Sequence, residues 1–313
     1  RHPGHLAGPL VSRLKIMGKM DIAEKRKPQD GRIGVKLGDR DVDVRISVLP
    51  TNHGESIVMR LLDSGANLLS LRDLGLVGEA QRRMGGLLKR SGGIVLVTGP
   101  TGSGKTTTLY AALQELNRPD VKIITAEDPV EYHIAGINQV QVEDRVGLTF
   151  SRILRAMLRC APNVILVGEI RDRETAETAI QAALTGHLVF STLHTNDAPS
   201  ALTRLVDMGV PPFLVSTAVQ AVLAQRLVRR LCPDCAEEHH PSANELEALG
   251  LETATNPVFR QPRGCYACEG VGYRGRLGLF ELFELDTDLR ERFFEGASQD
   301  DMRAAAQAAG RLL

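Results

Sequence analysis

The chain has 313 residues, 43% hydrophobic and 24% charged, with no tryptophan and no low-complexity tract, which excludes the disordered and fibrous classes and leaves room for two or three modules. Its 38 basic residues balance its 38 acidic ones, so no global field draws the molecule to nucleic acid or to an anionic membrane. The first ten residues, broken by Pro3, Gly4, Gly8 and Pro9, lack the apolar core of a signal peptide, so a cytoplasmic location is expected and the five cysteines are read as metal or chemistry rather than disulfides.

In chain order, Val11 to Lys27 reads as a helix ended by Pro28. Arg32 to Leu37, a Gly38-Asp39 turn, the strictly alternating Asp41 to Val48, and Ser56 to Leu62 read as short strands. Residues 1–75 are therefore expected to form a small, partial α/β domain, with Ser64 to Gly78 as linker. The strands Ile94–Val97, Lys122–Thr125, Val164–Val167 and Leu188–Ser191 then alternate with helical segments such as Lys105–Leu116 and Thr175–Leu184. That rhythm predicts a parallel sheet covered by helices over 76–230. The longest apolar region, Phe213 to Val228, is broken by Ser216, Thr217, Gln220, Gln225 and Arg226 and falls short of the ~20 apolar residues that span a bilayer. Residues 231–271 form a cysteine segment, and 272–313 read as mainly helical.

Gly99-Pro100-Thr101-Gly102-Ser103-Gly104-Lys105-Thr106 matches G-x-x-x-x-G-K-[ST] between a strand and a helix, the context the motif requires. With Thr107 these are the candidate nucleotide-binding residues: the glycines let backbone N–H groups curl round phosphates, Lys105 serves the β and γ oxygens, and Thr106 offers a hydroxyl to Mg²⁺. Hydrolysis also needs a carboxylate at the end of a neighbouring strand. Glu169, after Val164-Ile-Leu-Val-Gly168, supplies it; Gly168 stands where an Asp is usual, so Glu169 acts alone or with Glu127, Asp128 and Glu131. His194, in His194-Thr195-Asn196-Asp197, is a candidate sensor of the γ-phosphate, and His187 a weaker one.

Cys232-Pro-Asp-Cys235 and Cys265-Tyr-Ala-Cys268 are paired C-x-x-C knuckles able to offer four thiolates to one structural Zn²⁺. A redox dithiol and coincidental core cysteines are the alternatives.

The P-loop, Ile124 to Tyr132, Ile165 to Asp172 and Leu188 to Asp197 together resemble the Walker A, Asp box, Walker B and His box of the type II/type IV secretion ATPase superfamily. The resemblance implies a RecA-like P-loop NTPase domain with a small α/β N-terminal domain and a zinc-binding insertion, nearest to the type II secretion ATPases that carry four cysteines. It implies Mg-ATP hydrolysis by a homo-hexamer at the cytoplasmic face of the bacterial inner membrane. Membrane association would be peripheral, through platform proteins, and would drive pseudopilus assembly and protein export. It also implies phosphate-facing roles for Arg45, Arg60, Arg155, Arg159, Arg171 and Arg276, and catalytic roles for Glu127, Glu131, Glu169 and His194. A type IV pilus-extension ATPase is the alternative within the same class. A DNA-transfer motor is disfavoured by the balanced charge and scarce aromatics, and no nucleic-acid partner is expected. The sequence departs from the family at Cys160-Ala-Pro-Asn163, where Asp-Pro-Asp is usual, in its few N-terminal strands, and in its early end, which together suggest a core fragment.

Overall fold

The computed structural model describes residues 6–38, 40–63, 69–251 and 258–313, and the chain divides into two units. The first comprises Arg1–Leu68 and the excursion Pro129–Ala135; the second comprises Leu69–Asp128 and Gly136–Leu313.

In the first unit, α1 (Ala7–Met17) precedes an antiparallel sheet of β1 (Gln29–Leu37), β2 (Arg40–Thr51) and β3 (Gly54–Asp63), in that order. Alternation puts Ile33, Val44, Ile46 and Val48 on one buried face, against which Leu14 and Met20 pack. The helix stops ten residues before the Lys27 expected from sequence, because Gly18 closes it: the Gly18 N–H donates to the Leu14 carbonyl at 2.9 Å. Gly18 also lies directly on Gly31, where a Cβ would stand 2.4 Å from the Gly18 oxygen. Lys15 pins the returning chain. Only 1% exposed, its Nζ donates to the Glu24 carbonyl at 2.7 Å and pairs with Glu55 at 2.5 Å.

The expected turn residue Asp39 and linker residues 64–68 lie outside the described residues. After them Leu71 and Leu76 are each 1% exposed, so the stretch read as linker is already packed core in the second unit.

The second unit continues with α2 (Gly78–Leu88), β4 (Gly93–Thr98), α3 (Lys105–Leu116), β5 (Ile123–Glu127), β6 (Asn138–Gln141), α4 (Phe150–Met157), β7 (Val164–Val167), α5 (Arg173–Leu184) and β8 (Leu188–Leu193). Then follow α6 (Pro199–Asp207), α7 (Pro212–Ala218), β9 (Val219–Leu231), β10 (Ala236–His239), α8 (Ala243–Ala248), β11 (Phe259–Pro262), β12 (Tyr273–Glu284), α9 (Thr287–Phe294) and α10 (Gln299–Ala308). Seven strands form one sheet in the order β12-β9-β4-β8-β7-β5-β6, parallel except for β12 on β9. The four strands expected from sequence form its buried centre, as continuous apolar runs in a parallel sheet should.

Three strands, β6, β9 and β12, extend that expectation. The apolar region around Phe213 to Val228 divides between α7 and β9. Residues 272–313, expected to be mainly helical, begin instead with β12, whose backbone groups are taken up by the antiparallel pairing with β9; α9 and α10 follow, burying Leu289, Phe293, Met302 and Ala306 in the main core. Among the described residues no helix is long and apolar enough to cross a membrane.

Replacing Lys15 by Met leaves Glu55 without its cation, and the first unit is expected to lose about 3 kcal/mol of stability. The measurement is chemical denaturation followed by a probe placed in β2.

Candidate functional site

Because β4, β5, β7 and β8 are parallel, their carboxyl ends open on one edge of the sheet, and the predicted motifs follow those ends. After Thr98 the chain turns through Gly99, Gly102 and Gly104, with φ of +144°, +80° and +88°, angles that side chains resist. Gly104 then caps α3. The backbone N–H groups at the start of α3 make this turn an anion cradle. Lys105, buried, donates from Nζ to the carbonyls of Gly99 and Pro100 at 2.8 and 3.1 Å. Burial pulls its ammonium below the ordinary lysine range, and the Glu169 carboxylate opposes that. The Ser103 hydroxyl is buried in the loop without a hydrogen-bond partner. A cradle of positive-φ glycines, a desolvated ammonium and an orphaned hydroxyl fit a phosphate chain. Thr106 is exposed at the helix start and Thr107 half-buried behind it, so Thr106 is the hydroxyl placed for a cation.

Glu169 stands just beyond β7 and gathers its neighbours. Its carboxylate accepts from Arg171 Nη2 at 2.5 Å and lies 3.5 Å from His194 Nε2. That hydrogen bond raises the Arg171 guanidinium above its ordinary range, and Asp128 lies 3.6 Å from the same nitrogen. The structure therefore brings Lys105, Glu169, Arg171 and His194 to one place. Gly168 is tightly packed: a Cβ there would meet the Ala126 carbonyl at 3.2 Å and Glu127 Cα at 3.4 Å, so a side chain would require the neighbouring strand to give by a few tenths of an ångström.

Glu127 is placed differently. It is 4% exposed and its carboxylate accepts hydrogen bonds from Tyr110 Oη, from Thr125 Oγ1 at 2.5 Å and from Gln139 Nε2 at 3.2 Å. Those donors bind it into the framework joining α3, β5 and β6.

Glu131 belongs to the first unit, since Pro129–Ala135 clusters there. It pairs with Arg45 at 3.2 Å, while Arg45 Nη2 donates to the Val130 carbonyl at 2.9 Å and Arg32 Nη2 to the same carbonyl at 3.3 Å. Arg32, Arg45 and Arg60 are direct cross-strand neighbours and so share one sheet face. Burial lowers the Arg45 guanidinium from its ordinary range, with Glu131 opposing, and its Nε is buried without an acceptor, which fits a donor set for an anion.

Arg155 on α4 pairs with Glu174 at 2.6 Å, both exposed, and Arg159 donates to the Arg155 carbonyl at 3.0 Å. Arg276 is exposed on β12 opposite Arg229. These three arginines are not gathered with Glu169 by any of the contacts above. His187 sits at the other end of β8, its Nδ1 2.9 Å from the Ala182 carbonyl, in a local structural role. Cys160 is a free, exposed thiol whose carbonyl accepts from Lys122 Nζ at 2.6 Å.

Sequence reasoning missed the residues that join the motifs. The Thr98 hydroxyl bonds the Thr195 carbonyl at 2.9 Å and accepts from the Thr195 N–H at 3.0 Å, and Thr192 Oγ1 donates to the Gly168 carbonyl at 2.7 Å. Arg303 on α10 pairs with Glu281 at 2.7 Å and Asp197 at 3.4 Å, tying down the loop after His194. Small hydroxyls inside apolar strands and an arginine on a distant helix carry no motif.

The four knuckle sulfurs lie within 4.8 Å of one another, with Sγ separations of 3.9 Å (Cys232–Cys265), 3.8 Å (Cys235–Cys268) and 3.7 Å (Cys265–Cys268). A tetrahedron with Zn–S bonds of ~2.3 Å has edges of about 3.8 Å, so the set fits zinc. The backbone N–H groups of Cys265 and Gly272, each 3.1 Å from Cys268 Sγ, hold that thiol down to about 6, whereas burial pushes Cys235 up to about 11. Cys232 N–H donates to the Gly272 carbonyl at 3.0 Å, closing the base of the module.

The sequence model of the type II/IV secretion system protein family matches residues 1–313. The type II secretion system protein E of Pseudomonas aeruginosa is 53% identical over 97% of this chain, and the type II secretion system ATPase E of Vibrio cholerae 52% over 97%. The chain spans 61% and 60% of the lengths of these two relatives. Among solved structures, the pilus retraction motor PilT with bound ADP superposes with a TM-score of 0.66 at 29% identity, covering 91% of this chain and 71% of that one. The Legionella pneumophila ATPase DotB has the same fold, with a TM-score of 0.64 over 96% of this chain and 72% of its own, at 23% identity. With the whole chain matched and half its residues shared with named members, this protein belongs to the type II/IV secretion system family.

Proposed function

We propose that this chain is the core of an ATPase that powers pseudopilus assembly and protein export in a bacterial type II secretion system. The observation that carries the reading is the gathering of Lys105, Glu169, Arg171 and His194 at the mouth of a glycine-rich anion cradle. The substrate is ATP: Gly99 to Thr107 hold its phosphates, and Glu169 orients the attacking water. Arg171 holds the Glu169 carboxylate in place, and His194, 3.5 Å from that carboxylate, senses the γ-phosphate. Thr106 would hold Mg²⁺, which would supply positive charge to offset the negative charge of the phosphates. Glu131 is the second carboxylate, fixed by Arg45; Glu127 supports the floor of the site. Arg45, Arg60, Arg155, Arg159 and Arg276 remain proposed as charge-stabilising groups, as the family resemblance implies.

The same reading includes zinc as a structural ion on Cys232, Cys235, Cys265 and Cys268, homo-hexamer assembly, and work on an inner-membrane platform from the cytoplasmic side. A module boundary near residue 75, a motor core to about 230 and a cysteine module to about 271 remain the proposed divisions. A pilus-extension motor has the same chemistry but less support, since relatives at 53% and 52% identity carry the type II name and the cysteine set is present.

Glu169→Gln is expected to lower phosphate release by about 100-fold or more while ADP binding is retained; unchanged release would remove Glu169 from its role. Glu127→Gln should instead lower the melting temperature, with a rate loss under about tenfold. Cys265→Ser should cut the zinc content of purified protein, read by atomic absorption, by about tenfold or more. Single- or double-stranded DNA at low salt should leave turnover within about twofold, and a large stimulation would favour a nucleic-acid motor.

A further inference from the structure

One strand both floors the phosphate loop and leads to the cysteine cluster. β9 runs beside β4 as far as the Thr98–Ala224 pair, where β4 turns away into the loop. From Gln225 to Leu231, β9 is paired in the sheet with β12 alone, through Phe280 opposite Gln225 to Tyr273 opposite Leu231. The next residue is Cys232, and β12 begins shortly after Cys268. At ~3.3 Å per residue, this ribbon sets Gln225 and Cys232 about 23 Å apart.

Three consecutive residues at the root of the ribbon touch the nucleotide motifs. Gln225 is 2% exposed. Its backbone oxygen lies 2.4 Å from where a Cβ on Gly99 would stand, and its Nε2 lies 3.0 Å from the same point on Gly104. Its Oε1 accepts from Thr108 Oγ1, on α3, at 2.8 Å. Leu227, on the same side of the strand, places its two methyls 3.4 and 3.6 Å from the Cβ point of Gly104. Arg226, on the alternate side, reaches the Asn196 carbonyl and Oδ1, both at 3.4 Å, in the loop that follows His194.

An amide costs free energy to bury unless its polar atoms are used, and an aliphatic side chain of equal length would fill this floor without that cost. Here the amide joins α3 to β9 and faces the last loop residue before Lys105. Filling the loop with phosphate fixes Gly99, Gly104 and the start of α3, the groups that Gln225 touches. Beyond it β9 is paired with β12, whose Gly278 N–H donates to the Leu74 carbonyl at 2.9 Å, and Arg276 sits on this ribbon opposite Arg229.

We propose that Gln225 is a positioning residue that transmits occupancy of the phosphate loop to the β9–β12 ribbon, so that nucleotide state is felt at Arg276 and at the cysteine cluster. The proposal rests on the nucleotide-binding reading above.

Hydrogen exchange of the whole chain, with and without saturating Mg-ADP, tests it in the wild type and in Gln225→Met, which keeps length and loses the amide. In the wild type, ADP should slow exchange by about tenfold both in the loop with α3 and in the ribbon peptides 226–231 and 273–280. In Gln225→Met the loop should keep its protection and the ribbon should lose it. Thr108→Val removes the same hydrogen bond from α3 and should give the same loss, so the test survives if one variant fails to fold. A ribbon that ignores ADP in the wild type, or that keeps its wild-type protection in the variants, overturns the proposal. A wild-type loop left unprotected by ADP overturns the nucleotide reading and this inference with it, an outcome told apart by the loop peptides alone.

Discussion

The turn from β4 into α3 is the constraint on which the rest depends. Gly99, Gly102 and Gly104 leave the usual backbone regions so that N–H groups can face inward, and such a turn holds its shape only if both flanking elements are immobile. Every residue of β4 is buried, between β9 and β8, and α3 is buried from Thr108 to Leu113. The neighbouring strands then owe their chemistry to their order. β8 brings His194 beside the loop, and β7, one place further, brings Glu169 within reach of both.

Two carboxylates at this edge have been given opposite environments. Glu169, half-buried at the sheet edge, accepts a hydrogen bond from Arg171 and lies 3.5 Å from His194 Nε2. Glu127 is surrounded by hydroxyl and amide donors and is buried, so its hydrogen bonds tie α3, β5 and β6 together. The third, Glu131, departs from the sheet altogether: the loop between β5 and β6 lends residues 129–135 to the other unit, where paired arginines hold them. The nine-residue box Ile124 to Tyr132 is thus divided between the two units.

The cysteine segment is an excursion from the sheet rather than an appended domain. It leaves on β9 and returns on β12, so the pairing of those strands closes the loop before any metal does. Four thiols stand at the spacing of a zinc tetrahedron at the far end, and Arg229 stacks over the Tyr273 ring at 3.9 Å between the two. Small loop-rich segments with little core of their own commonly need such a clasp.

The sequence by itself determined the P-loop, the four central strands, the helices α3 and α5, and the paired cysteine knuckles. Each of these is written locally, in a fixed spacing or in a short apolar run bounded by glycine. It determined too that Glu169 and His194 each follow the end of an apolar strand. Only the tertiary structure decided that Val11 to Lys27 is a short helix and a pinned loop, because the contact of Gly18 with Gly31 and the Lys15–Glu55 pair join residues far apart in the chain. It alone decided that Gly168 packs closely against β5, that Glu127 is turned inward, and that Thr98, Gln225 and Arg303 join one motif to the next. Those roles depend on which strands lie side by side, and strand order is set by burial across the whole sheet rather than by any stretch of neighbouring residues.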